Sequence, residues 1–365
     1  MPNFVLKRFA ISDVKPGMEI GADVFKTDGK ILLTAGTVLT TSLINRLVSW
    51  GINSIEISEQ TDGEIFTITP PVIDEKFYGT YCEAVDIIKS TFDAVRFFKK
   101  IPFENMQKLT DRCLESLIHI PGAIKYLNLE RCRDEYTFHH SVNVAIISGI
   151  LGKWMGCDGE ELQQLLLAGL LHDIGKTQIP QEILNHPGEL TPKQMEVIKL
   201  HTVHGYQMLS EIPNLPKSIC YGALQHHERY DGSGYPSRVK EDKIHPFAKI
   251  IAIADIYDAM TSDRVYRGKA TPFTVAETLK RDMFDKLDPS VCNLFLENLS
   301  NCLLGDVVEL QDGREAQIVH LGSILSTKPI LRAESGEFIN LEKYEDICEI
   351  KPLSPQGKPR KRKAK

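Results

Sequence analysis

An apolar helix that ends in two ionisable residues constrains this chain of 365 residues more than any other feature. The segment Leu162–Leu171 is apolar on most sides, which predicts a helix buried at the centre of a helical domain. His172 and Asp173 follow it directly. An ionised aspartate beside an imidazole is costly in a dry environment unless a cation compensates for it. A divalent metal is the simplest compensation, because neutral imidazole and carboxylate are both good ligands for first-row transition ions.

Further histidines and a second aspartate can complete a metal site. The chain has 11 histidines, and most of them lie between positions 139 and 245. Any one alone is more often a hydrogen-bonded core residue, but the group is harder to dismiss. His226 and His227 are adjacent, and neighbouring helical residues point about 100° apart, so both reach one cleft only with suitable local geometry. Asp255 is a single acid within an apolar run. The candidate ligands are His140, His172, Asp173, His201, His226, His227 and Asp255.

Five imidazoles and two carboxylates are more donors than one metal ion requires. If Asp173 bridges, two ions each receive four protein ligands and keep open positions for water or substrate, as catalytic sites do. Paired ions suit phosphoryl chemistry, because they acidify a water molecule and stabilise the charge that gathers on the phosphate. The donors include no cysteine and fit iron or manganese, which we favour, as well as zinc.

Two longer motifs give these residues a recognisable pattern. One runs from His226 to Pro236 and reads HHERYDGSGYP, and the other runs from Ile253 to Ser262 and reads IADIYDAMTS. Together with His140 and the run HDIGK that ends at Lys176, they resemble the HD-GYP subfamily of the HD-domain phosphohydrolases, over roughly residues 126–300. An HD pair alone is weak evidence, whereas the two long motifs are specific.

The resemblance implies a cyclic di-GMP phosphodiesterase with a mainly helical catalytic domain. Such an enzyme hydrolyses cyclic di-GMP to linear pGpG, to GMP or to both, through a metal-activated hydroxide. The resemblance assigns the seven candidate ligands to metal positions and makes Asp173 and Lys176 the catalytic residues. Lys176 would contact the scissile phosphate, and Tyr235, Arg264 and Arg267 would lie near the bound nucleotide. The residue types agree, since arginine forms paired hydrogen bonds to phosphate or guanine.

One departure from the family pattern bears on the number of metal ions. His139 and His140 are adjacent, and we assign the ligand to His140 because the sequence after it, Ser-Val-Asn-Val, follows the family pattern. Relatives with a third metal carry a glutamate four residues before this histidine, where this chain has Tyr136. Glu135 would instead face His139. We therefore expect two divalent ions rather than three.

Water or His204 would protonate the leaving 3′ oxygen.

The segments on either side predict accessory modules around a helical body. Turn signals at Asp28-Gly29 and at Gln311-Asp312-Gly313 lie between short β-like runs, and Pro70-Pro71 marks a boundary. The β module is expected either to pack on the catalytic domain or to contact a second copy in a homodimer. The expected divisions are 1–70, a small mixed α/β domain of regulatory type; 71–125, a helical connector; 126–302, the catalytic domain; 303–353, a small β module; and 354–365, a basic disordered tail.

Charge and hydropathy limit the partners and the location. The net charge is −6 although the last eight residues carry six basic side chains, so the body is more acidic still. An acidic body argues against binding to duplex nucleic acid. No apolar run approaches the roughly 18 residues of a membrane-spanning helix, and no secretory signal is evident. The 8 cysteines form no CxxC pair and read as reduced core residues of a cytoplasmic protein.

Two other functions stay open on the residues alone. The same centre can act on another cyclic dinucleotide, which competitive turnover of several substrates would reveal. A binding or scaffold protein can instead keep the pocket without activity, and metal and dinucleotide binding without turnover would support it. The intact ligand set together with Lys176 argues against the scaffold.

Overall fold

The chain divides into two compact units of different secondary structure. A computed structural model describes residues 4–21, 24–25, 31–34, 36–52, 54–60, 75–120, 122–127, 136–262, 270–310, 312–321, 329–333, 335–341 and 351–352. One unit combines Met1–Pro70 with Leu304–Leu353, and the other contains Pro71–Leu303. The Asp28-Gly29 turn, the Pro70-Pro71 boundary and the basic tail lie outside the described residues.

The described residues of the first unit form short antiparallel strands, one α-helix and a short 3-10 helix, Ile11–Asp13. Strand β1 pairs with β4, β2 pairs with β3, and the remaining strands form a sheet of order β8-β7-β6-β5-β9. The predicted hairpin around Gln311-Asp312-Gly313 is confirmed, because β5 and β6 pair antiparallel on either side of it. The elements are β1 (Phe4–Ala10), β2 (Val24–Phe25), β3 (Ile31–Leu33), α1 (Thr41–Ser49), β4 (Ser54–Gln60), β5 (Val307–Glu309), β6 (Glu315–His320), β7 (Ile330–Ala333), β8 (Phe338–Asn340) and β9 (Lys351–Pro352).

In the described residues of the second unit, all regular secondary structure is helical. A short π-helical segment, Thr110–Leu114, joins two of its helices. The helices are α2 (Glu75–Phe98), α3 (Phe103–Leu109), α4 (Glu115–Ile118), α5 (Ala123–Tyr126), α6 (Tyr136–Trp154), α7 (Gly159–Leu171), α8 (Gln181–Leu184), α9 (Pro192–Lys199), α10 (His201–Ser210), α11 (Lys217–Gln225), α12 (Pro246–Thr261), α13 (Pro272–Asp282) and α14 (Pro289–Leu303). The predicted fold class, a mainly helical body with small α/β and β parts, is confirmed.

Three apolar helices form the core that carries the candidate site. Helix α7 buries every residue from Leu165 to Leu171, as the sequence predicts for a central helix. Helix α6 buries each residue from His140 to Gly152, and α12 buries Ile250–Ala254. Helices that are apolar on most sides have to be surrounded by other elements, so they form the middle of the unit. Of the described helices, none combines the length and the apolar character that crossing a membrane requires.

Candidate metal centre

The seven predicted metal ligands converge in the helical unit. His140 lies in α6, His172 and Asp173 directly follow α7, His201 begins α10, and Asp255 lies in α12. The adjacent histidines follow the end of α11, where the chain leaves the helix and both rings can turn to one side. Ligand atoms within each of three groups lie within 4.8 Å of one another; the groups are His201, His226 and His227; His140, His172 and Asp255; and His172, Asp173 and His226.

Asp173 lies between two sets of imidazoles. Its Oδ2 atom is 3.3 Å from His172 Nε2 and 3.6 Å from His140 Nε2. Its Oδ1 atom is 3.3 Å from His201 Nε2 and 3.9 Å from His226 Nε2. Each carboxylate oxygen therefore faces a different pair of rings.

Asp255, in α12, approaches one histidine of each set. Its Oδ1 atom lies 3.3 Å from His140 Nε2, and its Oδ2 atom lies 4.0 Å from His227 Nδ1. The Asp255 side chain is 15% exposed, whereas that of Asp173 is 1% exposed. The centre is therefore closed on the Asp173 side and accessible on the Asp255 side.

Hydrogen bonds fix the tautomer of three rings. Nδ1–H of His172 donates to the carbonyl of Gly169 at 2.7 Å, and Nδ1–H of His201 donates to that of Ile198 at 2.7 Å. His226 uses Nδ1–H in the same way toward the carbonyl of Ala223, at 2.9 Å. A carbonyl can only accept, so Nδ1 carries the proton in each ring and Nε2 presents a lone pair to the centre. This is how metal-binding histidines are usually held.

The inward-facing donor atoms fit a metal ion better than they fit one another. His172 Nε2 and Asp173 Oδ1 are buried and have no hydrogen-bond partner. His201 Nε2 and His226 Nε2 face each other at 3.3 Å. Since both of these nitrogens present lone pairs, their approach is unfavourable unless a cation lies nearby. The residues therefore suit divalent metal ions.

The protonation states agree with metal ligation. Burial lowers the pKa of His201 to about 4 and that of His227 to about 3, so both rings are neutral near pH 7. Burial alone would raise the pKa of Asp173, but the ammonium group of Lys176 opposes it, and that pKa stays well below the ordinary value. The pKa of Asp255 likewise stays well below the ordinary value despite its burial. Neutral imidazoles and ionised carboxylates are the forms that bind metal.

A glycine allows the turn after Asp173 to approach α10. A Cβ atom on Gly175 would lie 1.9 Å from the carbonyl oxygen of His201 and 2.5 Å from the amide nitrogen of Gly205. Any side chain at this position would push the two segments apart. Gly175 thereby permits the close approach of Asp173 and His201.

The HHERYDGSGYP segment folds back on the histidines that begin it. A Cβ atom on Gly234 would lie 2.4 Å from the carbonyl oxygen of His227, and the amide of Tyr235 donates to the same oxygen at 3.2 Å. The Tyr235–Pro236 peptide bond is cis. Buried Glu228, for which the sequence suggested no role, accepts from the amide of Ser237 at 2.7 Å. These contacts hold the segment as one side of the centre.

Tyr235 and Lys176 border the centre, and their predicted contacts with the substrate stay predictions. The Tyr235 ring centroid lies 4.7 Å from that of His227. Burial, reinforced by Asp173, raises the pKa of Tyr235, so its hydroxyl stays protonated. Lys176 Nζ lies 2.5 Å from Asp173 Oδ2, and its side chain is 29% exposed. A further cation that the motifs did not indicate, Lys199, lies 5.5 Å from the centroid of the Tyr235 ring.

Some predicted residues cannot be placed. Arg264 and Arg267 lie outside the described residues, as does Glu135. Tyr136 begins α6, and nothing is described of its side chain. His204 lies in α10, and its role as an acid stays a prediction.

Two residues behind His140 were missed by the sequence reasoning. Asp258 Oδ2 accepts from Nδ1–H of His140 at 2.8 Å, and Asp258 Oδ1 accepts from Nδ2–H of Asn143 at 2.8 Å. All three side chains are buried. His139 instead faces Tyr81, whose hydroxyl oxygen is 3.0 Å from its Nδ1 atom. Asp258 stands one helical turn after Asp255 within the quoted motif, which is the signal that could have identified it.

Comparison with known proteins gives one matching family and several relatives that act on cyclic dinucleotides. Residues 128–291 match the family described as HD domain. A cyclic di-GMP phosphodiesterase of Pseudomonas aeruginosa is 33% identical over 229 residues, which cover 62% of this chain and 55% of that protein. One from Thermotoga maritima is 39% identical over 183 residues, or 48% of each chain. A 3′3′-cGAMP-specific phosphodiesterase of Vibrio cholerae is 34% identical over 177 residues, or 48% of this chain and 41% of that one.

These relatives are longer than the matched region. The chain spans about half the length of the curated relatives it matches. Among solved structures, an HDG"Y"P protein of Bdellovibrio bacteriovorus aligns with a TM-score of 0.51 and 18% identity, over 81% of this chain and 99% of that one. At this identity the likeness concerns the fold alone.

Proposed function

We propose that this chain is a metal-dependent phosphodiesterase of the HD-GYP type that hydrolyses cyclic di-GMP to linear pGpG, to GMP or to both. Residues 128–291 match the HD domain family. The observation that carries the proposal is the position of Asp173 between two sets of imidazoles. A carboxylate with each oxygen facing a different set supports two adjacent cations, and two cations suit the hydrolysis of a phosphodiester.

The ligands divide between two divalent ions in this proposal. Asp173 would be shared between them, and Asp255, which also approaches both sets, would add a carboxylate on the side accessible to solvent. Iron or manganese fits the nitrogen and oxygen donors, and the absence of a glutamate at the position of Tyr136 favours two ions over three. The remaining ligands are His140 and His172 for one ion, and His201, His226 and His227 for the other.

Bound ions would lower the pKa of a water molecule and neutralise charge on the phosphate. The protein residues bind, orient and shield the substrate. Lys176, held by Asp173 and partly exposed, would donate hydrogen bonds to a phosphate oxygen. The protonated hydroxyl of Tyr235 supplies a hydrogen-bond donor beside the ligands. Lys199, which pairs with Glu196 at 2.6 Å, lies over the same ring. Arg264 and Arg267, by the family resemblance, would contact the nucleotide.

A second cyclic dinucleotide is the main alternative substrate. The similarity to a 3′3′-cGAMP-specific phosphodiesterase, at 34% identity, is of the same order as that to the cyclic di-GMP enzymes. The metal ligands and Lys176 act on the phosphodiester, which is common to both substrates, so they do not select the base. A binding or scaffold role without turnover is the remaining alternative.

The setting of the enzyme is also proposed. We place its action in the cytoplasm, with the residues before the helical unit in a regulatory role and a homodimer as the assembled form. The predicted division into a connector, a catalytic domain and terminal modules is retained as part of this proposal.

Turnover of cyclic di-GMP by protein purified without oxygen, with iron or manganese supplied, tests the proposal. The variant His172→Ala/Asp173→Ala should lose metal-dependent hydrolysis. The matched control is His119→Ala, which removes an exposed imidazole at the end of α4 and should retain metal-dependent hydrolysis. Hydrolysis of 3′3′-cGAMP alone would move the assignment to the second substrate. Metal binding without turnover of either dinucleotide would support a binding role.

A further inference from the structure

A chain of buried hydrogen bonds connects helix α2 to the metal centre. The Tyr81 hydroxyl in α2 donates to Asn143 Oδ1 at 2.8 Å. Asn143 Nδ2–H donates to Asp258 Oδ1 at 2.8 Å, and the other oxygen of Asp258 accepts from His140 at 2.8 Å. Tyr81 is 6% exposed, and the other side chains are 3% exposed or less. Tyr81 precedes residues 128–291, so it lies outside the segment that matches the HD domain family.

The direction of each hydrogen bond in this chain is determined. An ionised Asp258 only accepts, so the atom of Asn143 that faces it must be the amide nitrogen. The amide oxygen of Asn143 then faces α2 and needs a donor there. Because the Tyr81 hydroxyl has one hydrogen and gives it to Asn143, its oxygen accepts from Nδ1–H of His139 at 3.0 Å. Each member therefore fixes the orientation of the next.

Loss of the Tyr81 hydroxyl would remove the donor that the buried amide oxygen of Asn143 has in this structure. A buried carbonyl oxygen without a donor is costly, so the Asn143 side chain would shift and its hydrogen bond to Asp258 would weaken. Asp258 would then move, and the ring of His140 would lose the partner that fixes its tautomer and direction. His140 Nε2 is the atom that faces Asp173 and Asp255.

We propose that Tyr81 is a positioning residue of the metal centre, which acts through Asn143 and Asp258 on the orientation of His140. The inference rests on the metal centre of the proposed function but not on the identity of its substrate. It assigns a role in metal binding to a residue of α2, the helix that begins the described part of the helical unit.

Binding of Mn²⁺ to the metal-stripped full chain tests this inference, with free Mn²⁺ measured by electron paramagnetic resonance. Tyr81→Phe keeps the ring that stacks on Phe77 and removes only the hydroxyl. Its affinity for one of the bound ions should fall about tenfold, the lower end of the range for partners behind metal ligands. Tyr78→Phe removes a hydroxyl from an exposed ring of the same helix and should bind as the parent does.

A double-mutant cycle shows whether Tyr81 acts through Asn143. Asn143→Ala should weaken Mn²⁺ binding at least as much as Tyr81→Phe, and the double variant should be no weaker than Asn143→Ala alone. Losses that add in the double variant would overturn the proposed route. A lower urea midpoint of metal-free Tyr81→Phe with unchanged Mn²⁺ affinity would make the role of Tyr81 purely structural. Failure of the parent chain to bind Mn²⁺ would instead refute the metal centre itself.

Discussion

Replacement of Gly175 by alanine should disable one of the two ligand sets. The added Cβ would lie 1.9 Å from the carbonyl oxygen of His201, whereas real Cβ contacts are essentially never under 3.0 Å. The backbone around His201 would therefore have to move by about 1 Å relative to the turn after Asp173, while metal–ligand distances tolerate only about 0.2 Å. We expect loss of the ion near His201 and destabilisation of about 3 kcal/mol, at the upper end for overpacked sites.

Metal content per chain and thermal unfolding measure both effects. Gly205→Ala is the matched control, because it lies across the same contact and its Cβ would meet the nearest atom, Ala223 Cβ, at an ordinary 3.4 Å. Gly205→Ala should keep both ions and the parent melting temperature. A Gly175→Ala protein that retains two ions at the parent affinity would refute the steric argument.

Three further predictions concern the charge of Lys176, the pH dependence of stability and the removal of metal. Lys176→Met should lower turnover of cyclic di-GMP by about 10²–10³-fold without weakening Mn²⁺ binding, because Lys176 competes with cations for Asp173; weakened Mn²⁺ binding would contradict this reasoning. The pKa of His201 is about 4 and that of His227 about 3 in the metal-free fold, against 6.5 ordinarily. The unfolded chain therefore binds more protons below pH 6.5, and the free energy of unfolding of metal-stripped protein should fall as pH falls from 6.5 toward 3 while it stays level above; urea unfolding that is equal at pH 7 and pH 5 would oppose it. Removal of metal with a chelator should lower the melting temperature, and Mn²⁺ at 100 times its dissociation constant should restore about 3 kcal/mol of stability. Equal melting temperatures with and without Mn²⁺ in calorimetry would contradict preferential binding of the ion to the folded state.

The fold and the cluster of ligands were accessible from the sequence because both depend on local signals. Continuous apolar character predicted the burial of α7, and the ionisable pair after it located the centre. The hairpin of β5 and β6 followed from a turn signal between two β-like runs. The bridging position of Asp173 was an inference from the number of donors, and the two faces of its carboxylate agree with it.

The residues that the sequence reasoning missed act over long separations. Asp258 and His140 are 118 positions apart, and Tyr81 and Asn143 are 62 apart. A buried aspartate, asparagine or tyrosine has many ways to satisfy its hydrogen bonds, and no periodicity indicates which helix will supply the partner. The choice between His139 and His140 depended on a family pattern for the same reason. Only the packing of α2 and α12 against α6 turns one ring toward Tyr81 and the other toward Asp173.

The histidines of the centre differ in which part of the protein holds their rings, so they differ in how easily local opening releases them. His172, His201 and His226 each donate to a carbonyl three residues earlier, so a single turn of backbone keeps these rings aligned. His140 depends on Asp258, which belongs to another helix. A fluctuation that parts α6 from α12 would separate His140 from both Asp258 and Asp255, while His172, His201 and His226 keep their backbone partners. The protein would then lose its ions in steps, and the ion nearest His140 would exchange first.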